Sequence, residues 1–128
     1  MTSKNSAGFL LGVDLVEFEK AKSFYLAHRK KLSSFLTRRE IAYVRKSRKP
    51  HQRLAILLAA KESVFKALGV SWMGIAGFSD IQIIPGKNGD ISFRLKGKFR
   101  NIIQAPFNSK LSFSKKKDCV VVACAGIS

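Results

Sequence analysis

Residues 9 to 16, FLLGVDLV, form a run of apolar and branched side chains that reads as a buried strand, interrupted by Gly12 and Asp14. From about residue 17 to residue 36 the period lengthens. Phe18, Ala21, Phe24 and Tyr25 fall on one side of a helix, with Lys20, Lys22, Arg29, Lys30 and Lys31 elsewhere. Thr37 followed by Glu40 is a capping box, so TRREIAYVRKSRK starts a second helix that should stop before Pro50. On that helix Arg38, Ala42, Arg45 and Lys49 share one stripe, which makes a basic ridge. A third helix spans about 51 to 68: Leu54, Leu57, Leu58, Phe65 and Leu68 recur at helical spacing and Gly69 follows as a C-cap.

Past a turn-rich stretch, GVSWMGIAG, the period changes to two. FSDIQIIP and DISFRLKG alternate around GKNG and predict a hairpin, while KLSFS and DCVVVACA predict two more strands joined by the basic turn KKKD. Residues 97 to 104 suit a short helix. The sum is an N-terminal strand and three helices followed by four strands, an α+β fold with a mainly antiparallel sheet packed against helices, in one domain over residues 1–128.

Composition narrows the class. No run approaches the ~20 apolar residues of a membrane span, and the FLLGV stretch is cut off by Asp14 without a cleavage pattern behind it, so the expectation is a cytoplasmic chain. Cys119 and Cys124 should point to opposite faces of one strand and stay reduced. The 24 Lys and Arg against 8 Asp and Glu give a formal charge of +16, which calls for an anionic partner.

Three charged residues in apolar company then matter most. Asp14, flanked by Gly12, Val13, Leu15 and Val16, needs a cation or donors if it is buried. Glu62 and Lys66 lie beside each other on a narrow strip of the third helix with Ala55, Ala59 and Ser63. An ordinary helix pair contributes ~0.3–0.5 kcal/mol and explains their spacing. Two carboxylates on separate elements with lysines beside one of them also suit a hard divalent cation that keeps waters and carries a phosphate, for which Mg²⁺ is the natural choice. Lys61 lies around the helix between Leu54, Phe65 and Leu68, so its ammonium must snorkel out of an apolar face or end at an anion. No Walker phosphate loop, HExxH or nucleophile elbow occurs, and His28 and His51 sit in basic helical surroundings.

Taken together, GVDLVE at 12 to 17, FLTRRE at 35 to 40, LAAKESVFKALG at 58 to 69 and FSDIQI at 78 to 83 resemble the 4'-phosphopantetheinyl transferases, most closely the small holo-acyl-carrier-protein synthase type. The resemblance runs in order over nearly the whole chain. It implies transfer of 4'-phosphopantetheine from coenzyme A to a serine of an acidic acyl carrier protein, with 3',5'-ADP leaving, as in fatty acid biosynthesis. It further implies that Asp14 and Glu62 hold Mg²⁺ and that Lys66 neutralises the transferred phosphate. Lys61, Lys66, Ser114 and Lys115 would face coenzyme A, and Arg29, Arg38, Arg45 and Lys49 would dock the carrier. Family members of this size are homotrimers with coenzyme A between subunits.

The chain departs from the family pattern at Leu57, where an arginine is usual, and at Ile56, where a glycine is usual. Further departures are Gly69 to Trp72 in place of a G-T-G loop, GKNGD in place of a G-K-P turn, and Lys115 in place of a histidine. Two other readings stay open: a degenerate member that binds carrier protein without transfer, and a basic nucleic-acid module. Against the latter, few exposed aromatics interleave the basic positions for base stacking.

Overall fold

The computed structural model describes residues 9–69, 75–100 and 108–127. Its order is β1 (Phe9–Glu17), α1 (Phe18–His28), α2 (Arg38–Arg45), α3 (Pro50–Leu68), β2 (Ile81–Pro85), β3 (Ile91–Leu95), β4 (Asn108–Lys115) and β5 (Cys119–Ile127). Short 3₁₀ turns occupy Leu32–Ser34, Ile75–Asp80 and Gly97–Phe99. The α+β expectation holds, with every strand pairing antiparallel. The single expected sheet is instead two: three strands in the order β1-β5-β4, and the separate hairpin β2-β3.

Helix α3 lies across one face of the three-stranded sheet, chiefly on β1 and β5. Its sheet-facing residues are small, with Ala55, Ala59, Ser63 and Ala67 all buried. Gly12 completes that contact: a Cβ there would collide with the carbonyl oxygen of Ser63 and sit 2.6 Å from the amide nitrogen of Ala67. The glycine that seemed only to interrupt the strand is what lets its backbone touch the helix. Bulkier side chains, among them Leu54, Leu57, Val64 and Phe65, fill the space between α3 and the other elements.

Three boundaries differ from the sequence expectation. Helix α1 stops at His28, eight residues short of the predicted end at Leu36, although the apolar period runs on through Leu32, Phe35 and Leu36. Those three side chains are at most 2% exposed. A straight helix of that length would carry them past the core, so the chain turns at Arg29 to Lys31 and brings them back. Helix α2 ends at Arg45, which leaves Lys49 off the expected stripe and at the N-cap of α3. Of the expected short helix at 97 to 104, Gly97–Phe99 is a 3₁₀ turn and 101–104 lie outside the described residues. Most of the turn-rich stretch at 70–74 also lies outside them.

Candidate functional site

Strand β1 and helix α3 bring Asp14 and Lys66 together, which gives Asp14 the cation that its apolar surroundings call for. Lys66 Nζ donates to Asp14 Oδ1 at 3.0 Å and to the Val13 carbonyl oxygen at 3.1 Å. Glu62 stands one turn before Lys66 on the same flank of the helix. Burial pushes its carboxyl above the usual glutamate range, the charge of Asp14 pushes it further, and Lys66 pulls it partly back. Asp14 and Glu62 thus act on each other electrostatically, with the Lys66 ammonium beside both. No group of three or more His, Cys, Asp and Glu occurs among the described residues.

Lys61, expected at a coenzyme A phosphate, is elsewhere. Its side chain is fully enclosed and its ammonium donates to Glu40 Oε1 at 2.8 Å, Phe35 O at 3.2 Å and Phe78 O at 2.6 Å. All three donors are used, so Lys61 leaves the ligand-binding set. The anion that ends its path through the apolar face is Glu40. That carboxylate also forms the predicted capping box with Thr37 and accepts from the Ile83 amide at 2.7 Å. Burial holds the Lys61 ammonium below the usual lysine range, and Glu40 counters it.

At the other edge of the sheet, Lys115 lines a cavity of about 530 Å³ with Arg48, Lys49, Arg53, Lys87 and Phe113. Five of these six are cations, and among the described residues Asp90 is the sole acid on its wall. Leu57, at the usual arginine position, is fully buried in the core, and Ile56 forms part of the cavity wall. Arg53, one turn earlier, is the arginine of this helix that reaches the cavity. Its guanidinium lies 4.4 Å from the centre of the Tyr43 ring, and Nη1 donates to the Tyr43 carbonyl at 2.6 Å. Sequence reasoning missed Arg53, Arg48 and Lys87; stepping back four residues from Leu57 along one helix face would have found Arg53. Ser114 pairs in register with Val121, is exposed, and does not line this cavity.

Of the expected docking residues, Arg29, Arg38 and Arg45 are exposed, and Arg45 Nη2 donates to the Arg29 carbonyl at 3.2 Å. Lys49 is exposed too and lines the cavity.

A profile of the 4'-phosphopantetheinyl transferase superfamily matches residues 10–124. The chain belongs to that superfamily. Among its relatives, the holo-[acyl-carrier-protein] synthase of Thermoanaerobacter sp. (strain X514) is 37% identical over 119 residues, covering 90% of this chain and 83% of that one. The synthase of Caldanaerobacter subterraneus subsp. tengcongensis is 36% identical over 123 residues, covering 91% and 94%. Within the superfamily the chain therefore sits among enzymes of the holo-acyl-carrier-protein synthase type, as its motifs implied.

The phosphopantetheinyl transferase fold expected from those motifs also matches solved structures. The Chronobacterium ammoniagenes ACPS-CoA complex superposes with a TM-score of 0.80 at 22% identity, covering 93% of this chain and 96% of that one. A holo-(acyl-carrier-protein) synthase from Bacillus anthracis in complex with CoA (3',5'-ADP) gives 0.74 at 21% identity, with the same coverage.

Proposed function

We propose that this phosphopantetheinyl transferase moves 4'-phosphopantetheine from coenzyme A to a serine of an acidic acyl carrier protein, with Mg²⁺, as a single-domain cytoplasmic homotrimer serving fatty acid biosynthesis. The observation that carries the reading is the Asp14, Glu62 and Lys66 constellation across β1 and α3 in a chain of this superfamily. Its completeness argues against a degenerate member that only binds.

Asp14 and Glu62 would hold Mg²⁺, which supplies positive charge to the coenzyme A pyrophosphate when bound. Lys66 is half exposed on a flexible stem, so its ammonium can leave Asp14 for the transferred phosphate. The carrier serine oxygen attacks the β-phosphorus, the bond from that phosphorus to the 3',5'-ADP oxygen breaks, and the serine proton passes to a water at the site or to Glu62. Positioning and charge stabilisation do the rest, as in other phosphoryl transfers.

The cationic cavity at Lys115 suits the remaining phosphate of coenzyme A, with Arg53 in the part of the missing arginine. In one chain, however, the two half-sites lie at opposite edges of the β1-β5-β4 sheet with α3 between them. The outer face of that sheet supports a reading in which they meet between copies. Phe9, Leu11, Val13 and Leu15 on β1 are 46–67% exposed, beside Ile127 at 59%. An apolar row of that length marks an interface. A cyclic assembly through this face sets the carboxylate edge of one copy against the cationic edge of the next, which favours the homotrimer. Arg29, Arg38 and Arg45 then remain on the outside for an acidic carrier helix.

Intact-mass measurement of an apo carrier incubated with coenzyme A and Mg²⁺ tests the reading. Gain of one phosphopantetheine, abolished by chelator, is expected; an unchanged carrier mass refutes it.

A further inference from the structure

We infer that the buried Glu40–Lys61 pair is a positioning strut for the reaction, setting the rotation of α3 and thereby the place of Glu62; the inference rests on the transfer proposed above. Lys61 and Glu62 are neighbours about 100° apart around the helix. One points into the core and the other toward β1. The Lys61 ammonium is held by acceptors from three separate segments: Phe35 after α1, Glu40 on α2 and Phe78 before β2. Glu40 is held in turn by the Thr37 and Ile83 amides. Both side chains are completely buried.

The sheet-facing side of α3 gives little hold against rotation, because Ala55, Ala59, Ser63 and Ala67 present a nearly smooth strip to a glycine on β1. The half-exposed Lys66 contact to β1 and the packing of Leu54, Leu57, Val64 and Phe65 hold the helix in part, and the directional hydrogen bonds of Lys61 fix its rotation most sharply. A rotation of about 10° moves a side-chain tip some 5–6 Å from the axis by about 1 Å. A displacement of that size costs about 100-fold in a reaction that depends on positioning. A buried ion pair is a poor device for stability, since well-packed apolar residues commonly do as well, and directional specificity is the better account of it. The network also joins α2, which carries Arg38 and Arg45, to the helix that carries Glu62.

The test compares wild type, the paired replacement Glu40→Leu with Lys61→Met, and Glu40→Gln, none of which alters a group proposed to touch metal or substrate. Mn²⁺ affinity is read by electron paramagnetic resonance, and kcat and KM for coenzyme A by steady-state transfer. A folded pair variant should bind Mn²⁺ about fivefold more weakly and lose about tenfold or more in kcat, with KM for coenzyme A unchanged. Wild-type values throughout overturn the inference, as does a fall in all parameters in proportion to the folded fraction. If the pair variant does not fold, Glu40→Gln keeps the side chain's shape and one acceptor oxygen; its Mn²⁺ affinity should fall about threefold, and no change overturns the strut. Should wild type itself bind no Mn²⁺, the metal assignment fails, and the split between kcat and KM decides the strut alone.

Discussion

The backbone of Gly12 rests directly on the carbonyl oxygen of Ser63, with no space between strand and helix for even a methyl group. Asp14 stands two residues along the same strand, and Glu62 and Lys66 flank Ser63 on the helix, so the closeness of this contact sets the spacing of the site. Gly12→Ala should push α3 off the sheet, lowering stability by about 1–3 kcal/mol, the range for overpacking. Transfer activity should fall further than stability does. Urea unfolding with a parallel transfer assay checks both; a variant with wild-type midpoint and rate would show that the close approach is dispensable.

Asp14→Asn and Glu62→Gln each remove a carboxylate charge while keeping shape. Transfer should drop about 100-fold or more, the scale of losing a preorganised charge at a reacting phosphate. Stability should move by less than about 1 kcal/mol, because the Asp14–Lys66 pair is partly solvated, with the lysine side chain 51% exposed. Near-normal transfer that still required Mg²⁺ would remove these residues from the metal site.

The cavity predicts a different signature. Lys115→Ala or Arg53→Ala should weaken coenzyme A binding by about 1.5–3 kcal/mol, the value of a charge-assisted hydrogen bond. Lys115→His should keep part of that affinity at low pH and lose it as pH rises through about 6.5, because imidazole discharges there and an ammonium does not. Calorimetric titration of coenzyme A at two pH values separates the cases. Equal affinity in all variants would make the cavity a solvated basic surface.

Charge reversal at Arg38 and Arg45 should raise KM for the carrier with little change in KM for coenzyme A, and added salt should mimic the effect. Steady-state kinetics against both substrates decides it. Weakened coenzyme A alone would move the docking surface elsewhere.

The sequence shows local order better than long-range order. The Thr37–Glu40 box is local, spanning one helical turn, and it was legible. The partnership of Glu40 with Lys61 and Ile83 joins residues 21 and 43 positions away, which no periodicity reports. For that reason Lys61 was placed at a ligand although it belongs to the core. The end of α1 was misread because its apolar period continues unbroken past His28, and only the extent of the core makes the chain turn there. Asp14 and Lys66 stand out in the sequence because charge in apolar company is costly and therefore informative, and the fold brings those two together. Arg53 does not stand out, because nothing in its surroundings is unusual until α2 and the β2-β3 turn close a cavity around it. The run FLLGVDLV reads as a buried strand, yet Leu11, Val13 and Leu15 face outward, because α3 covers only one side of β1.

A shared site has one consequence that a self-contained site lacks. Glu62→Gln leaves the cationic edge intact, and Arg53→Glu with Lys115→Glu leaves the carboxylate edge intact, so each protein alone should be inactive. Co-expressed in equal amounts, the two should assemble with about one site in four carrying both intact halves, giving about a quarter of wild-type transfer by carrier mass. No recovery from a mixed, folded assembly, beside an active wild type, would contradict a site built between neighbouring copies.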